Sequence, residues 1–300
     1  MSEISAQLVK QLREQTGAGM MECKKALVEA NGNLEESVVI LRKRGLASAA
    51  KKATRATKQG QIVTKISADG KTGVLVEVNC ESDFVARTDD FQELCTRLAD
   101  LVLGSDSLMD SADPMAALLA LQLDGASATD YIKSKIAKLG ENMSVARFAR
   151  YTANGVTGSY IHPGAQLGVL LEITTGLAGT SQDFQDLVKD LAMQIAAADP
   201  KFIRKEDVTA ETITKEKDIQ KARVIAEGKP EKVAEKIVEG RMGKFYEEIC
   251  LLEQPFIKEG SMSVHDLIKS KAKALGGDLN VARFARYKVG ETAPAETAAE

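Results

Sequence analysis

One segment that occurs twice limits the possible folds of this chain more than any other feature. Residues 130–151 read DYIKSKIAKLGENMSVARFARY and residues 266–287 read DLIKSKAKALGGDLNVARFARY, agreeing at 14 of 22 positions with a constant offset of 136. A second echo precedes it: Gly73-Val-Leu-Val-Glu-Val resembles Gly168-Val-Leu-Leu-Glu-Ile, and helical patterns follow that open Phe91-Gln-Glu-Leu and Phe184-Gln-Asp-Leu. Short apolar runs bounded by turn residues read as buried strands, and a periodic segment ending in Leu-Gly reads as a helix with its stop. The repeated unit is therefore strand, strand, helix, then a helix running into Leu-Gly and a final strand. Two copies are too few for a solenoid. The expected class is α+β, with two related subdomains over 60–152 and 153–290, each an antiparallel sheet with helices on one face.

What differs between the copies points to function. After the shared strand, copy one carries Asn79-Cys-Glu-Ser-Asp-Phe-Val-Ala, whereas copy two carries Thr174-Thr-Gly-Leu-Ala-Gly. Asp83 at a helix start can cap free backbone N–H groups. Phe84 has two readings, a plug in the core or an exposed probe that enters a partner. Because copy two lacks both residues, the fold does not require them at that turn, which favours function. Copy two has its own insertion, a charged helical hairpin over about 209–252 that turns at Gly228-Lys229-Pro230. Val238, Met242, Phe245, Ile249 and Leu252 keep a 4-3-4-3 spacing, a coiled-coil-like seam. Either its two helices bury each other, or the seam is a dimer or partner surface.

Residues 1–45 read as a small three-helix unit. Ser5 can cap a helix carrying Leu8, Val9 and Leu12, with Ile4 as a staple. Thr16-Gly-Ala-Gly breaks it, a second helix runs from Met21 to Ala30, and Asn33 with Glu36 opens a third that Gly45 is expected to end. So small a bundle is marginal alone, which suggests an interaction module. Met20 and Met21 fill a core or adapt to a binding surface. Gly17-Ala-Gly19 is not followed by the Gly-Lys-Ser/Thr of a phosphate loop, so that match fails. Residues 46–59 read as a linker. Lys43, Arg44, Lys51, Lys52, Arg55 and Lys58 make the stretch 43–58 basic, as a solvated helix or a nucleic-acid contact.

Composition removes several classes. A net charge of −3 implies no general attraction to nucleic acid or anionic membrane, and 4% aromatic content without Trp is poor material for base stacking. Cys23, Cys80, Cys95 and Cys250 lack metal-ligand spacing and read as reduced thiols of a cytoplasmic protein. Neither a signal peptide nor a membrane span is expected. His162, in a loop with Pro163-Gly164, and His265, in a helix, are the two histidines, and no nucleophile motif accompanies them. Neither metal nor cofactor is expected. An RNA-binding protein, resting on the basic segment and the two Val-Ala-Arg-Phe-Ala-Arg-Tyr strands, remains an alternative, and a hydrolase or transferase is a weaker one.

Four stretches carry a family resemblance over essentially the whole chain. They are Leu12-Arg-Glu-Gln-Thr-Gly-Ala-Gly-Met-Met-Glu-Cys-Lys-Lys-Ala-Leu, Asn79-Cys-Glu-Ser-Asp-Phe-Val, Gly158-Ser-Tyr-Ile-His-Pro-Gly and Gln254-Pro-Phe. The chain resembles the bacterial elongation factor Ts family. The commonest form of the central motif has Thr before Asp-Phe-Val, where this chain has Ser82, which keeps the hydroxyl. The resemblance implies a UBA-like N-terminal bundle, two related core subdomains, a protruding hairpin that could also serve a homodimer, and a short C-terminal module. A disordered tail is expected over 291–300. It further implies guanine-nucleotide exchange on elongation factor Tu, without covalent catalysis and without direct nucleic-acid contact. Ser82, Asp83, Phe84 and Val85 would disturb the Mg²⁺ site of that GTPase, and His162 would help displace its phosphate-binding loop. Arg13, Met20, Met21 and Lys24 would dock its nucleotide-binding domain.

Overall fold

A computed structural model describes residues 4–177 and 181–292, without the side chains of Glu231 and Lys232. The chain opens with α1 (Ala6–Thr16), α2 (Met20–Glu29) and α3 (Leu34–Lys52). Ser5 Oγ accepts from Leu8 N and Asn33 Oδ1 accepts from Glu36 N, so both expected caps are made. Val9, Leu12, Cys23 and Leu27 form the small core of this bundle. Gly45 does not end α3, which continues into the expected linker as far as Lys52. It serves close approach instead. A Cβ at Gly45 would lie 2.9 Å from the Ala137 Cβ of a helix in the first repeat, so the missing side chain lets α3 lie against that helix.

The first repeat comprises β1 (Gln59–Ile66), β2 (Thr72–Cys80), the single turn α4 (Asp83–Ala86) and α5 (Asp89–Leu103). After α6 (Pro114–Ala120) and the ribbon β3 (Gln122–Leu123) and β4 (Ala126–Ser127) come α7 (Ala128–Leu139) and β5 (Met143–Thr152). The second repeat supplies β6 (Val156–Ile161), β7 (Leu167–Thr175) and α8 (Gln182–Ala198). The hairpin follows as α9 (Ala210–Ala226) and α10 (Glu231–Ile249). The ribbon β8 (Pro255–Phe256) and β9 (Glu259–Ser263), α11 (Val264–Leu275) and β10 (Leu279–Lys288) complete it. Each repeat is a three-stranded antiparallel sheet with its long apolar strand in the middle, β1-β2-β5 and β10-β7-β6.

The middle strands are apolar throughout because both faces are covered. Val74, Val76, Val78 and Cys80 face α5 and α7, while Leu75 on the opposite face meets Leu170 of the second sheet. Val169, Leu171 and Ile173 likewise face α8 and α11. Helices therefore cover one face of each sheet, as the pattern predicts, and the other faces pack sheet against sheet. Gly73 and Gly168 hold equivalent places in this contact. A Cβ on Gly73 would come within 2.7 Å of Leu170, and one on Gly168 within 3.0 Å of Leu75.

The repeated Val-Ala-Arg-Phe-Ala-Arg-Tyr strands make the joint. Ladder register slips once in each copy, at Ala146 and at Ala282, so that Arg147 falls opposite Glu77 and Arg283 opposite Glu172. Arg147 Nε donates to Glu77 Oε2 and Arg283 Nε to Glu172 Oε2, both at 2.7 Å. Each guanidinium then lies over the tyrosine of the other copy: Arg147 over Tyr287 at 4.1 Å, Arg283 over Tyr151 at 4.2 Å. The second arginine of each motif caps its own repeat's helix. Arg150 donates to the carbonyls of Val102 and Leu103, and Arg286 to that of Ala196. These four arginines, which could have been read as an RNA-binding surface, are engaged within the fold.

In the hairpin, Val224, Ala234, Val238 and Met242 bury one another, with Phe245 packed beside them. Leu252 lies past the hairpin, in a short 3-10 turn against the second core. Glu291, at the start of the expected tail, accepts from Arg147 Nη2 at 3.0 Å, and residues 293–300 lie outside the described residues. Among the described residues, no helix is long and apolar enough to cross a membrane.

Candidate functional site

Two loops, one from each repeat, meet beside β1. The first is the turn after β2. Ser82 is extended, and its Oγ accepts from Val85 N at 3.3 Å, which makes Ser82 the N-cap of α4. Asp83 therefore does not cap the helix; it is the first helical residue. Its carboxylate instead accepts from Arg87 Nη2, one turn on, at 2.9 Å. Val85 and Ala86 are buried in the first core, so Val85 anchors the turn. Between these anchors and Ser82, Phe84 is 81% exposed. The ring is exposed and does not plug the core.

His162 stands in the loop between β6 and β7. Its backbone N–H donates to Leu167 O, and Ala165 N donates back to His162 O, closing a tight turn over Pro163-Gly164. The imidazole is exposed, with Nδ1 3.1 Å from the Tyr160 hydroxyl. Strand β1 ties both loops down. Gln61 Nε2 donates to Ala86 O and Gln166 Nε2 to Gly60 O, each at 2.8 Å, and Ile62 N donates to Ala165 O at 2.8 Å. Asp83, Arg87 and His162 consequently line one open cleft of about 930 Å³ together with Gln59 and Gln61.

The N-terminal residues singled out by sequence do not line this cleft. Met20 and Met21 are 56% and 65% exposed at the start of α2, and Arg13 and Lys24 are exposed as well. Val28 is also exposed and was not anticipated, although Met21, Lys24 and Val28 have the three- and four-residue spacing of one helix face. Sequence reasoning also missed Glu141, which follows α7. Its carboxylate accepts from Ser82 N at 2.9 Å and from Ser82 Oγ at 2.6 Å.

The nearest thiol offers no nucleophile. Burial, aided by the neighbouring Glu141 carboxylate, pushes the Cys80 thiol up to about 12, and its Sγ donates to Ser82 O at 3.1 Å. Burial also raises the Cys95 thiol. Among the described residues, no group of three or more His, Cys, Asp or Glu side chains is placed to hold a metal ion. The arrangement presents an apolar ring, a carboxylate paired with a guanidinium, and an imidazole, groups suited to insertion and hydrogen bonding.

Known proteins resemble this chain over nearly its whole length. The family model described as Elongation factor TS matches residues 81–291. The chain belongs to the elongation factor Ts family. A family protein from Solibacter usitatus is 47% identical over 300 residues, covering 100% of this chain and 98% of its own. Elongation factor Ts from Clostridium botulinum (strain Eklund 17B / Type B) is 45% identical over 290 residues, covering 96% of this chain and 93% of its own. Elongation factor Ts from Clostridium perfringens (strain SM101 / Type A) is 44% identical over the same length and coverage. Membership in the elongation factor Ts family makes this a protein of translation elongation, and the matched segment contains both Phe84 and His162.

Proposed function

We propose that this chain is the guanine-nucleotide exchange factor of elongation factor Tu, the GTPase that carries aminoacyl-tRNA. Family membership supports the partner, and the observation that carries the mechanism is Phe84, 81% exposed on a turn whose flanking residues are buried or bonded. A GTPase holds its nucleotide with backbone donors of the phosphate loop and with Mg²⁺ bridging phosphate and protein oxygens. Releasing GDP breaks no covalent bond. It requires a factor that binds the nucleotide-free form more tightly, and by reciprocity nucleotide then weakens the factor's hold.

In this reading Phe84 enters an apolar gap near the Mg²⁺ site and shifts the metal's ligands, while Asp83 hydrogen-bonds at its rim. Asp83 does not itself coordinate the ion. Ser82 and Val85 contribute by fixing the turn, since one is held by Glu141 and the other lies in the core. His162, across the same cleft, acts on the phosphate-binding loop from the second repeat. Met20, Met21, Lys24 and Arg13 dock the nucleotide-binding domain through the N-terminal module.

Release of a fluorescent GDP analogue from elongation factor Tu, followed by stopped flow over a Mg²⁺ series, tests this. Wild-type chain accelerates release. Phe84→Ala reduces the saturated rate between about ten- and a hundredfold, the value of burying one aromatic side chain, while the variant still binds the nucleotide-free GTPase. If folded wild-type chain leaves the release rate unchanged, the proposal is wrong.

A further inference from the structure

Phe84 is 81% exposed, so the pose of the ring depends chiefly on the backbone of α4. That backbone is held from outside its own repeat strand by a reciprocal pair of carboxylates. Glu141 takes Ser82 N–H and Ser82 O–H at 2.9 and 2.6 Å. In exchange, Glu81 Oε1 takes Asn142 N–H at 2.6 Å. Residues 81–82 and 141–142 are thus cross-linked by each other's acids. The network extends to the end of α3. Asn142 Nδ2 donates to Arg55 O at 2.8 Å and Ala53 O at 3.3 Å, and Arg55 Nη1 reaches Glu81 at 3.5 Å.

The internal repeat provides the control. The ladders pair Cys80 with Met143 and Thr175 with Leu279, so Gly176 stands where Glu81 stands and Gly277 where Glu141 stands. Both acids are absent from the copy that lacks the ring. Leu177 fills the corresponding place, and a Cβ on Gly277 would come within 2.6 Å of it. An apolar contact therefore closes this corner of the fold adequately. Two carboxylates and their hydrogen bonds are present only where a phenylalanine has to be presented to solvent.

We infer that Glu141 is a positioning residue for exchange: its carboxylate clamps Ser82 while Glu81 ties the same turn to Asn142, and together they fix the direction of the Phe84 ring. The inference rests on the exchange reading of Phe84. Its physical content is preorganisation. A probe already held in its inserted direction loses less conformational freedom on entering the partner than one on a loose turn.

The experiment has two arms. In the first, GDP release from elongation factor Tu at saturating factor is measured for wild type, Glu141→Ala, Glu141→Gln, Phe84→Ala and the Glu141→Ala/Phe84→Ala double variant. Glu141→Ala lowers the rate about tenfold, as loss of hydrogen bonds to a charged group implies. Glu141→Gln, whose amide can accept from Ser82 N–H and donate to Ser82 Oγ, recovers part of that rate. In the Phe84→Ala background the effect of Glu141→Ala disappears, because the clamp acts only through the ring. A Glu141→Ala effect that persists undiminished in the double variant, or no effect at all, overturns the inference. The second arm needs no partner. The chain has no Trp, so Phe84→Trp supplies a single reporter. Its nanosecond fluorescence anisotropy should fall faster when Glu141→Ala is added, and unchanged decay also overturns the inference. If wild type releases no GDP while the reporter loosens as stated, the exchange reading fails and the clamp stands.

Discussion

Cutting one of the two inter-repeat arginines should unsettle the whole core, and the two cuts should differ in size. Arg147→Met keeps most of the side-chain volume and its packing on Tyr287 but removes the charge that satisfies Glu77. The Glu77 side chain is 0% exposed, and after the substitution its remaining partner among the described residues is the Gly290 N–H at 2.9 Å. Breaking a buried ion pair from one side costs about 3–5 kcal/mol, mostly the penalty of the abandoned charge. Arg147 itself is 24% exposed, so water can reach the gap, and a cost of about 3 kcal/mol is expected. Arg283→Met removes the equivalent group from the equivalent place. That arginine is 49% exposed and its Glu172 8%, so solvent already screens the pair, and about 1 kcal/mol is expected.

Urea unfolding followed by circular dichroism measures both. With a slope of about 3 kcal/mol per molar urea, at the upper end for small proteins, Arg147→Met lowers the midpoint by about 1 M and Arg283→Met by about a third of that. The mechanism is tested by Glu77→Gln/Arg147→Met, which removes the orphaned charge together with its partner. The double variant should regain more than half of the loss. Equal costs for the two arginines, or a double variant no better than Arg147→Met alone, would refute the assignment of this joint to charge burial.

Three further outcomes are expected. Gly45→Ala should destabilise, although Ala is the better helix former by about 1 kcal/mol, because its Cβ would sit 2.9 Å from that of Ala137; a rise in melting temperature would show that α3 can shift freely on α7. Asp90 is held below the usual carboxylate range by its hydrogen bond to Lys138 and, against the opposing effect of burial, by Lys135. Its stabilising effect is present above the ordinary pKa of about 4 and is lost as pH falls through the lowered folded value, so the stability gap between wild type and Asp90→Asn should close in acid; a gap independent of pH would refute it. Val85→Ala should cost about 1–2 kcal/mol as a core truncation, whereas Phe84→Ala one residue earlier should stay within about 0.5 kcal/mol, both read from thermal melts.

The repeat made much of the fold legible because short apolar strand runs and Leu-Gly helix stops are local signals, and the chain states them twice. What stayed illegible depends on partners distant in sequence. A glycine at a helix stop and a glycine at a close helix crossing look alike, and Gly45 is the second kind only because Ala137 lies against it. Ser82 and Asp83 are both good caps, and local preference does not choose between them; Glu141, arriving from beyond α7, favours Ser82 by accepting its N–H and O–H. The arginines of the repeated strand suggested a nucleic-acid surface because their partners are distant in sequence: tyrosines of the opposite copy for Arg147 and Arg283, helix-end carbonyls for Arg150 and Arg286. Glu141 could have been found. Aligning the copies sets it against Gly277, the same kind of difference that drew attention to Phe84.

The joint between the repeats and the clamp on the turn meet the same physical demand. An exposed ring contributes little to folding, and its value for binding depends on how little freedom remains to be lost when it inserts. Freedom can be lost at the ring's own turn or between the two repeats that carry Phe84 and His162. The first is limited by the Ser82 cap, the buried Val85 and the two carboxylates; the second by paired arginines that each bond in one copy and stack on the other. Strand β1 then connects the two, reaching Ala86 through Gln61 and the His162 loop through Ile62 and Gly60. A variant that loosens the joint without touching the cleft, such as Arg283→Met, should therefore slow GDP release at temperatures where it is still folded. The loss should affect the saturated rate of release more than the binding of nucleotide-free partner, because it acts on the relative placement of two groups that, under the proposed exchange mechanism, engage together. If Arg283→Met is destabilised as stated yet releases GDP at the wild-type rate, Phe84 and His162 act independently and the rigidity of the joint serves stability alone.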